Sequence, residues 1–578
     1  MSAPRFLIDR AVPDRKRVED VAARFGLKSC FDSRGVRAFV SPGYAIQLGG
    51  NRGVILGTLF ERHGPPQPID ALSEDQQKLI AAKGGRALLQ SHWGAYCALW
   101  GDNAGLSIMR DPSGGLPAYI AGAAGSCLIG SDPEIIAATG YWAPAISWDD
   151  LAIHLYMRGL PRPVTPLAGL SELLPGTACN ICDAAMLVEE LWSPWDHIQP
   201  KTSSDSAHQA EVLLRTIQNV VAAWSSRYPS ILIGVSGGLD SSIVAATIPA
   251  RRTAVTGVTL VTDDPDGDER SFTRLLGEGT GIEILDVAYE PADIDLGTSC
   301  VAHLARPIGR SHALAYDRAM HRIARERGID AFFSGNGGDN IFYYTQSANP
   351  IADRLLTHGI GIGLLQTWRD VCRLTGCTPV EAALASWGSI RTRGRGYQWR
   401  PDPRFLHCDL SANLARLRGA HPWLEDSRAH LPGKAAHIAA LLRIQSGLEG
   451  YDRRLPAMIN PLMSQPVLET CLAAPSWMWV EGGRDRALAR SAFWRILPRG
   501  ILERRSKGGP DGFANQIISV HRAEIIDRLT SGHLARQKII DCDAIVSTLC
   551  NDAPNLGTDQ ARLLSLVDTE AWVAHWSP

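Results

Sequence analysis

The sequence lacks the features of a membrane or secreted protein. No uninterrupted apolar run approaches the roughly 18 residues that a membrane helix needs, and the opening segment MSAPRFLIDR has no apolar signal-peptide core. An excess of one charge is also missing, since the formal net charge is -2 and the pI is about 6.8. We therefore expect a cytoplasmic protein that binds neither nucleic acid nor a membrane surface.

Apart from Cys179 and Cys182, the cysteines show no paired spacing. The 12 cysteines are scattered along the chain, which is typical of reduced thiols rather than of a disulfide framework. Cys179 and Cys182 have metal-ligand spacing, but no second pair or His cluster completes a zinc site, and the turn-like LLPGT precedes them. We interpret this pair as part of a structural strand or hairpin.

The chain is too long for a single hydrophobic core, and 578 residues predict two or three. The polar stretch HIQPKTSSDSA at 197–207 is the clearest boundary. Before it, short apolar runs separated by Gly and Pro indicate β-rich structure. After Phe342, long Ala/Leu/Arg stretches around 435–445 and 485–497 predict helices. We assign two domains, residues 1–198 and 206–578.

The most informative segment is ILIGVSGGLDSS at 231–242, which predicts a strand, a loop and the start of a helix. Adjacent glycines let the backbone approach an anion, and a helix N-terminus points N–H groups and a positive dipole end at the same place. No Gly-Lys-Ser/Thr follows, so the loop is not of the Walker type. The residues predicted to bind a polyphosphate are Ser236, Gly237, Gly238, Leu239, Asp240, Ser241 and Ser242.

A second apolar run, AFFSGNGGDN at 331–340, ends in a similar glycine-rich loop. Between the loops the pattern alternates as in a doubly wound parallel sheet, with strands predicted at 253–261 and 282–288 and helices at 268–277 and 312–327. Ligands of such sheets collect beyond the carboxyl ends of the strands.

Asp339 is therefore expected to face Asp240 and to share with it a Mg²⁺ ion, which prefers oxygen ligands and bridges to phosphate. We interpret the acidic segment 263–269 as a solvated loop, one carboxylate of which could face the metal.

The whole chain resembles the asparagine synthetase B superfamily. RDPSGGLPAYI at 110–120 and IGSDPE at 129–134 are similar to two N-terminal segments of that superfamily, and the glycine-rich loops are similar to its ATP-pyrophosphatase loops. The resemblance implies an α/β fold, with an N-terminal class II glutamine amidotransferase-like αββα sandwich. A C-terminal ATP-pyrophosphatase (PP-loop) domain with a doubly wound parallel sheet and helical extensions would follow.

The resemblance also implies ATP and Mg²⁺ as cofactors. ATP would be cleaved between its α and β phosphates, leaving AMP on a carboxylate. The resemblance assigns the binding of the AMP portion of the nucleotide to Ser334 and Gly335, with Gly337 nearby and Thr259 at the end of the second strand.

Two departures from the superfamily bear on function. Its glutaminases use an N-terminal cysteine thiol, but this chain has Ser2, and the Asn-Gly of the oxyanion hole is replaced by Leu56-Gly57. We therefore expect no ammonia production, and an N-terminal domain that is a structural relic or binds substrate. The nucleophile must then come from the substrate itself.

Two ammonia-independent branches remain, β-lactam synthetases and lasso-peptide macrolactam synthetases. Position 336 tends to be Tyr in the former and is Asn336 here, and an amide cannot serve as a proton-relaying base. The runs at 475–490 and 504–513 resemble the lasso cyclases, and Lys507 in the second run matches the lysine that stabilises the tetrahedral intermediate. We place Lys507, Asp339 and Asn336 among the catalytic residues.

We therefore expect an ATP-dependent lasso-peptide cyclase that joins an Asp or Glu side chain of a processed core peptide to the peptide's own α-amine. Its expected partners are the core or precursor peptide and, from the resemblance, the leader peptidase and leader-binding protein of the same pathway. The alternatives are another ammonia-independent ligase, such as a β-lactam synthetase, or an inactive peptide- or nucleotide-binding scaffold. Trp477 and Trp479 are the best aromatic candidates for substrate contact, whereas Arg484 and Arg486 are interpreted first as helix-surface charges.

Overall fold

The computed structural model describes most of the chain. The described residues are 3–101, 105–182, 185–199, 205–249, 253–261, 268–288, 290–309, 313–415, 421–451, 453, 455–504, 511–550 and 559–577. Ser2 and Lys507, to which the sequence analysis assigns roles, lie outside them. No helix among these residues is both long and apolar enough to cross a membrane.

The N-terminal half contains two six-stranded antiparallel sheets, with strand orders β10-β8-β9-β1-β3-β2 and β12-β11-β7-β6-β5-β4. The strands are β1 (Phe6–Arg10), β2 (Lys28–Ser33), β3 (Val36–Val40), β4 (Ala45–Leu48), β5 (Gly53–Glu61), β6 (His92–Gly101), β7 (Leu106–Arg110), β8 (Tyr119–Ala123), β9 (Ser126–Gly130), β10 (Leu170–Glu172), β11 (Thr177–Ile181) and β12 (Met186–Glu190). The helices of this half are α1 (Arg15–Arg24), α2 (Glu74–Lys83), α3 (Gly85–Ser91), α4 (Pro133–Ala138) and α5 (Trp148–Tyr156).

The alternation of side chains along the strands produces the layers of this half. In β1, Phe6 and Ile8 belong to a core shared with the second sheet, whereas Leu7 on the opposite face joins the core that includes Val18 and Val21 of α1. The two sheets therefore pack face to face with helices outside them, which confirms the αββα sandwich. Cys179 lies in β11, which forms a hairpin with β12, as expected for a structural strand.

The C-terminal half is built on a parallel five-stranded sheet of order β15-β14-β13-β16-β17. Its strands are β13 (Ser230–Gly234), β14 (Ala254–Val261), β15 (Glu283–Ala288), β16 (Ala331–Phe333) and β17 (Ala457–Ile459). The helices up to the last strand are α6 (Ser206–Ser225), α7 (Leu239–Thr247), α8 (Arg270–Thr280), α9 (Leu314–Arg327), α10 (Gly338–Ile341), α11 (Asn349–His358), α12 (Ile362–Thr375), α13 (Pro379–Thr392), α14 (Cys408–Leu414), α15 (Pro422–Glu425) and α16 (Pro432–Gln445). After it come α17 (Gln465–Ala473), α18 (Ala487–Ala492), α19 (Arg499–Glu503), α20 (Asp511–Ser531), α21 (His533–Arg536), α22 (Cys542–Cys550) and α23 (Asp559–Trp576).

The predicted order of strands and helices between the two loops is confirmed. Two later predictions need correction. The helix predicted at 485–497 is shorter, because α18 ends at Ala492, and the sequence analysis missed β17, which pairs with β16 at the edge of the sheet. Three residues are too few to show a strand pattern, and the β-structure of β17 depends on its neighbour rather than on its own sequence.

A buried group of charges joins the two halves. Arg110, 2% exposed, donates to the carboxylates of Glu172 and Glu449, and Glu172 also pairs with Arg306. Closer to the surface, Arg62 pairs with Glu469. Arg110 opens the segment 110–120 that marks the N-terminal resemblance, so this segment contributes to the contact between the halves.

Candidate functional site

The first glycine-rich loop follows β13 and turns directly into α7. Gly237 has a left-handed φ of 59°, and a Cβ there would lie 2.3 Å from Cβ of Phe272. Only glycine fits this turn. The Gly238 N–H donates to Ser236 Oγ at 3.4 Å and the Ser236 N–H to Ser241 Oγ at 3.3 Å, so the loop folds back on the first turn of the helix. The N-terminus of α7 thus faces the space beyond the sheet, where an anion would be favoured.

The second loop follows β16, the strand next to β13, and ends in the four-residue helix α10. Ser334 Oγ donates to Asn460 Oδ1 at 2.6 Å and accepts from the Asn336 N–H at 3.0 Å. Asn460 directly follows β17, so the strand that the sequence analysis missed fixes this loop. Asn336 itself is exposed.

Two glycines of the second loop allow it to touch the first. A Cβ on Gly335 would lie 2.4 Å from the backbone nitrogen of Ser241, and one on Gly338 would lie 2.2 Å from the carboxyl carbon of Asp240. Real Cβ atoms do not approach other heavy atoms this closely. The paired glycines therefore let the two strand ends bring Asp240 and Asp339 together, as predicted from the motif spacing.

The carboxylates of Asp240 and Asp339 converge on one cation, the guanidinium of Arg486. Arg486 Nη1 lies 3.1 Å and 3.0 Å from the two carboxylate oxygens of Asp240 and 2.7 Å from Oδ1 of Asp339. Arg486 is 8% exposed, so its interpretation as a surface charge is wrong. Its Nε donates to Asp485 at 3.0 Å, and its guanidinium carbon is 5.5 Å from the ring centre of Tyr344.

Two further arginines connect this cluster to the first loop. Arg490 donates to the Asp485 carboxylate at 2.7 Å and to the backbone carbonyl of Arg504 at 3.3 Å. Arg504 in turn donates to the carbonyl of Ser236 at 2.9 Å and to Glu269 at 2.8 Å. Burial tends to raise the pKa of Asp485, but hydrogen bonds and charge from Arg490 and Arg486 outweigh it and hold the pKa below its ordinary value.

A cavity of about 660 Å³ opens where the two loops meet. Its polar end includes the loop residues Ser236, Asp240, Ser334 and Asp339. Its apolar end includes side chains from the strands β14, β16 and β17 and from helix α9, namely Val258, Leu260, Phe332, Met458 and Met320. A polar end beside a phosphate loop and an apolar end beyond it suit a nucleotide, whose base is planar and apolar and whose phosphates are charged.

Some predicted residues do not form part of the cavity wall. Gly237 forms the turn of the first loop but does not line the cavity, and Ser242 is fully buried in α7. Thr259 is buried between Val258 and Leu260, and these two neighbours face the cavity instead, because successive strand residues point to opposite faces. Of the acidic segment, Glu269 reaches the cavity but binds Arg504.

The two tryptophans proposed for substrate contact are also placed elsewhere. Trp479 has no exposed surface and stacks on Phe342 with ring centres 6.0 Å apart. Trp477 packs against Arg354 and His358. Neither lines the cavity, so their proposed role is not supported. Asp485, Arg490 and Asn460 had no role predicted from the sequence, although Asp485 and Arg490 lie in the run 475–490 that resembles the lasso cyclases.

The oxygen atoms present suit a magnesium ion. Asp240 and Asp339 already point at a single positive group, and the guanidinium of Arg486 stands where a cation shared by the two carboxylates would be held. Mg²⁺ is usually bound by one or two carboxylates together with substrate phosphate. When bound it would neutralise phosphate charge and polarise the α-phosphate for attack.

A parallel sheet with a glycine-rich loop at one strand end and facing carboxylates at the next has the arrangement found in nucleotide-binding α/β domains. The chain belongs to the asparagine synthase family: the family model described as asparagine synthase matches residues 222–392 and 457–574, together half of the chain. The protein is accordingly an ATP-dependent ligase of the amide-forming kind.

Two solved structures are similar to the chain at a low level. The allosteric regulatory enzyme of purine biosynthesis is 13% identical, with 50% of this chain and 81% of that chain covered and a TM-score of 0.22. The glutamine phosphoribosylpyrophosphate amidotransferase from B. subtilis is 14% identical, with 57% and 90% covered and a TM-score of 0.22. No curated protein matches the chain.

Proposed function

We propose that the protein is a lasso-peptide macrolactam synthetase. It activates the side-chain carboxylate of an Asp or Glu in a processed core peptide by transferring AMP from ATP, with release of pyrophosphate. The peptide's own α-amine then attacks the acyl carbon, AMP leaves with the C–O bond electrons, and an isopeptide ring results. The leader peptidase and the leader-binding protein of the same pathway are proposed as partners.

The observation that supports the proposal is a contrast between the two halves. One half has two glycine-rich loops that meet beside a cavity, and the other has neither a cysteine at position 2 nor the asparagine that the resemblance expects at position 56. Leu56, at the position of the oxyanion-hole amide, has no exposed surface and is packed between the two sheets. Burial raises the pKa of the thiols of Cys30, Cys97 and Cys127, which makes them poor nucleophiles. The nitrogen that forms the amide is therefore proposed to come from the substrate.

The geometry supports a role for each part of the site. The N–H groups of the loop at 236–242 would bind the pyrophosphate, and Asp240 and Asp339 would hold Mg²⁺. The apolar end of the cavity would take the adenosine, with Ser334 and Gly335 beside the AMP phosphate. Asn336, exposed on the second loop, would face the incoming peptide. Lys507 lies outside the described residues, and its proposed role in stabilising the tetrahedral intermediate rests on the resemblance alone.

Incubation of the purified chain with ATP, Mg²⁺ and a linear core peptide tests this function. We expect AMP formation together with a peptide that has lost the mass of one water. AMP without a dehydrated peptide would contradict cyclisation and favour another acceptor, and a lack of ATP–pyrophosphate exchange would favour an inactive scaffold.

A glutamine control separates the proposal from an ordinary amidotransferase. Glutamate release from glutamine is expected to be no faster in the native chain than in a Ser2→Ala variant. A faster release would mean that the N-terminal half is a working glutaminase.

A further inference from the structure

Arg486 occupies the point on which both predicted metal-binding carboxylates converge. Its Nη1 is within 3.1 Å of three carboxylate oxygens of Asp240 and Asp339. A magnesium ion bound by the same oxygens would lie about 2.1 Å from each of them. The guanidinium nitrogen and the metal cannot share this space.

The charges around Arg486 favour an exchange. The single positive charge of Arg486 offsets only part of the two negative charges of Asp240 and Asp339, whereas a divalent cation offsets both. The third carboxylate near Arg486, that of Asp485, also accepts a hydrogen bond from Arg490 at 2.7 Å. An arginine side chain stays protonated in proteins, so Arg486 does not leave the pair by losing its proton.

The backbone around Arg486 restricts where the side chain can go. Arg486 precedes α18 with a φ of 48° in the left-handed region, which a residue other than glycine rarely adopts. Asp485, fixed by Arg490, holds Nε at 3.0 Å. Because Nε is part of the planar guanidinium, Nη1 can leave the carboxylate pair only if the side chain rotates and gives up this hydrogen bond. Nucleotide phosphates in the adjoining cavity would then offer the guanidinium a new anionic partner.

We propose that Arg486 is a positioning residue that closes the metal site of the nucleotide-free enzyme and is displaced by the divalent cation. It keeps Asp240 and Asp339 together when no metal is bound and prevents the pair from binding metal alone with high affinity. The exchange couples metal entry to the arrival of the triphosphate. The inference rests on the proposed function in assigning the metal to Asp240 and Asp339.

The test is Mn²⁺ binding, followed by electron paramagnetic resonance, in the absence of nucleotide and peptide. Mn²⁺ takes the same oxygen ligands as Mg²⁺. Arg486→Asn removes the charge with a residue that tolerates the left-handed backbone, and we expect Mn²⁺ to bind this variant at least about tenfold more tightly than the native chain. Arg486→Lys should restore weak binding, and Arg484→Asn, which changes the exposed neighbouring arginine, should leave the affinity unchanged.

Equal or weaker Mn²⁺ binding by a folded Arg486→Asn variant would overturn the proposal. The native chain provides a second measurement that needs no variant. Saturating Mn²⁺ should make Arg486 reactive toward phenylglyoxal, as mapped by mass spectrometry, while Arg490 stays protected. Continued protection of Arg486 with Mn²⁺ bound would also overturn it. Neither measurement involves ATP or peptide, so a failure here is distinct from a failure of ATP–pyrophosphate exchange, which tests the proposed function.

Discussion

Replacing Gly335 with alanine tests whether contact between the two loops assembles the site. The added Cβ would lie 2.4 Å from the Ser241 nitrogen and 2.7 Å from the Asp240 carbonyl carbon, both backbone atoms at the start of α7. To bring the added Cβ to an ordinary van der Waals distance from these atoms, the two loops must separate by about 1 Å. Overpacking of this kind costs about 1–3 kcal/mol of stability, and a displacement of about 1 Å at reacting groups can lower a rate on the order of a hundredfold.

The assay is ATP–pyrophosphate exchange alongside urea unfolding. Gly335→Ala is expected to remain folded and to lose most of its exchange activity. Gly388→Ala is the matched control, because Gly388 lies inside α13 with no atom within 4 Å of the added Cβ. This control should keep full exchange and gain up to about 1 kcal/mol of stability from better helix propensity. Native exchange in Gly335→Ala would refute the idea that loop contact is required.

Three further predictions concern the proposed metal ligands, Lys507 and acid stability. Asp240→Ala or Asp339→Ala should abolish ATP–pyrophosphate exchange in a protein that still unfolds cooperatively, and retained exchange would mean that the metal is bound elsewhere. Lys507→Ala should slow ring formation by about a hundredfold or more while nucleotide binding, measured by calorimetry, changes little; an unchanged rate would remove Lys507 from the mechanism. Burial raises the pKa of Glu469, but the hydrogen bonds and charge of Arg62, with contributions from His197 and Gln465, outweigh it and lower the pKa to about 2. A carboxyl group with a lowered pKa stabilises the folded state at pH values above the ordinary pKa of glutamate, and this stabilisation is lost as the pH falls toward 2. The free energy of unfolding of the native chain, measured in urea, should therefore exceed that of Glu469→Gln by about 2 kcal/mol less at pH 3 than at pH 5. A difference that does not change with pH would contradict this assignment.

The order of strands and helices around the site was predictable because each loop carries its own local signal. Ile231–Ile233 and Ala331–Phe333 are apolar runs followed within a few residues by the glycine pairs at 237–238 and 337–338. Such runs predict buried parallel strands regardless of the rest of the chain. That Asp240 and Asp339 face each other was predictable because the carboxyl ends of neighbouring parallel strands lie at the same edge of the sheet.

The partners of these residues were not predictable in the same way. Arg486 lies about 150 residues beyond Asp339 in sequence, and a single arginine among many carries no sign of what it contacts. Thr259 was misplaced by one residue, which in a strand reverses the face on which a side chain lies. Trp479 was expected near the substrate and lies in the core instead, where large aromatic side chains most often contribute.

The buried charges between the halves bear on how this enzyme can be divided or recombined. Arg110 and Glu172 come from one half and would still pair with each other if that half were separated. Arg306 and Glu449 come from the other half, and separation would remove the partner of each in these ion pairs. Leaving buried charges without their partners costs on the order of 3–5 kcal/mol. The N-terminal half would thus contribute to folding whether or not it has an activity of its own, and chimaeras between relatives should exchange all four positions as a set.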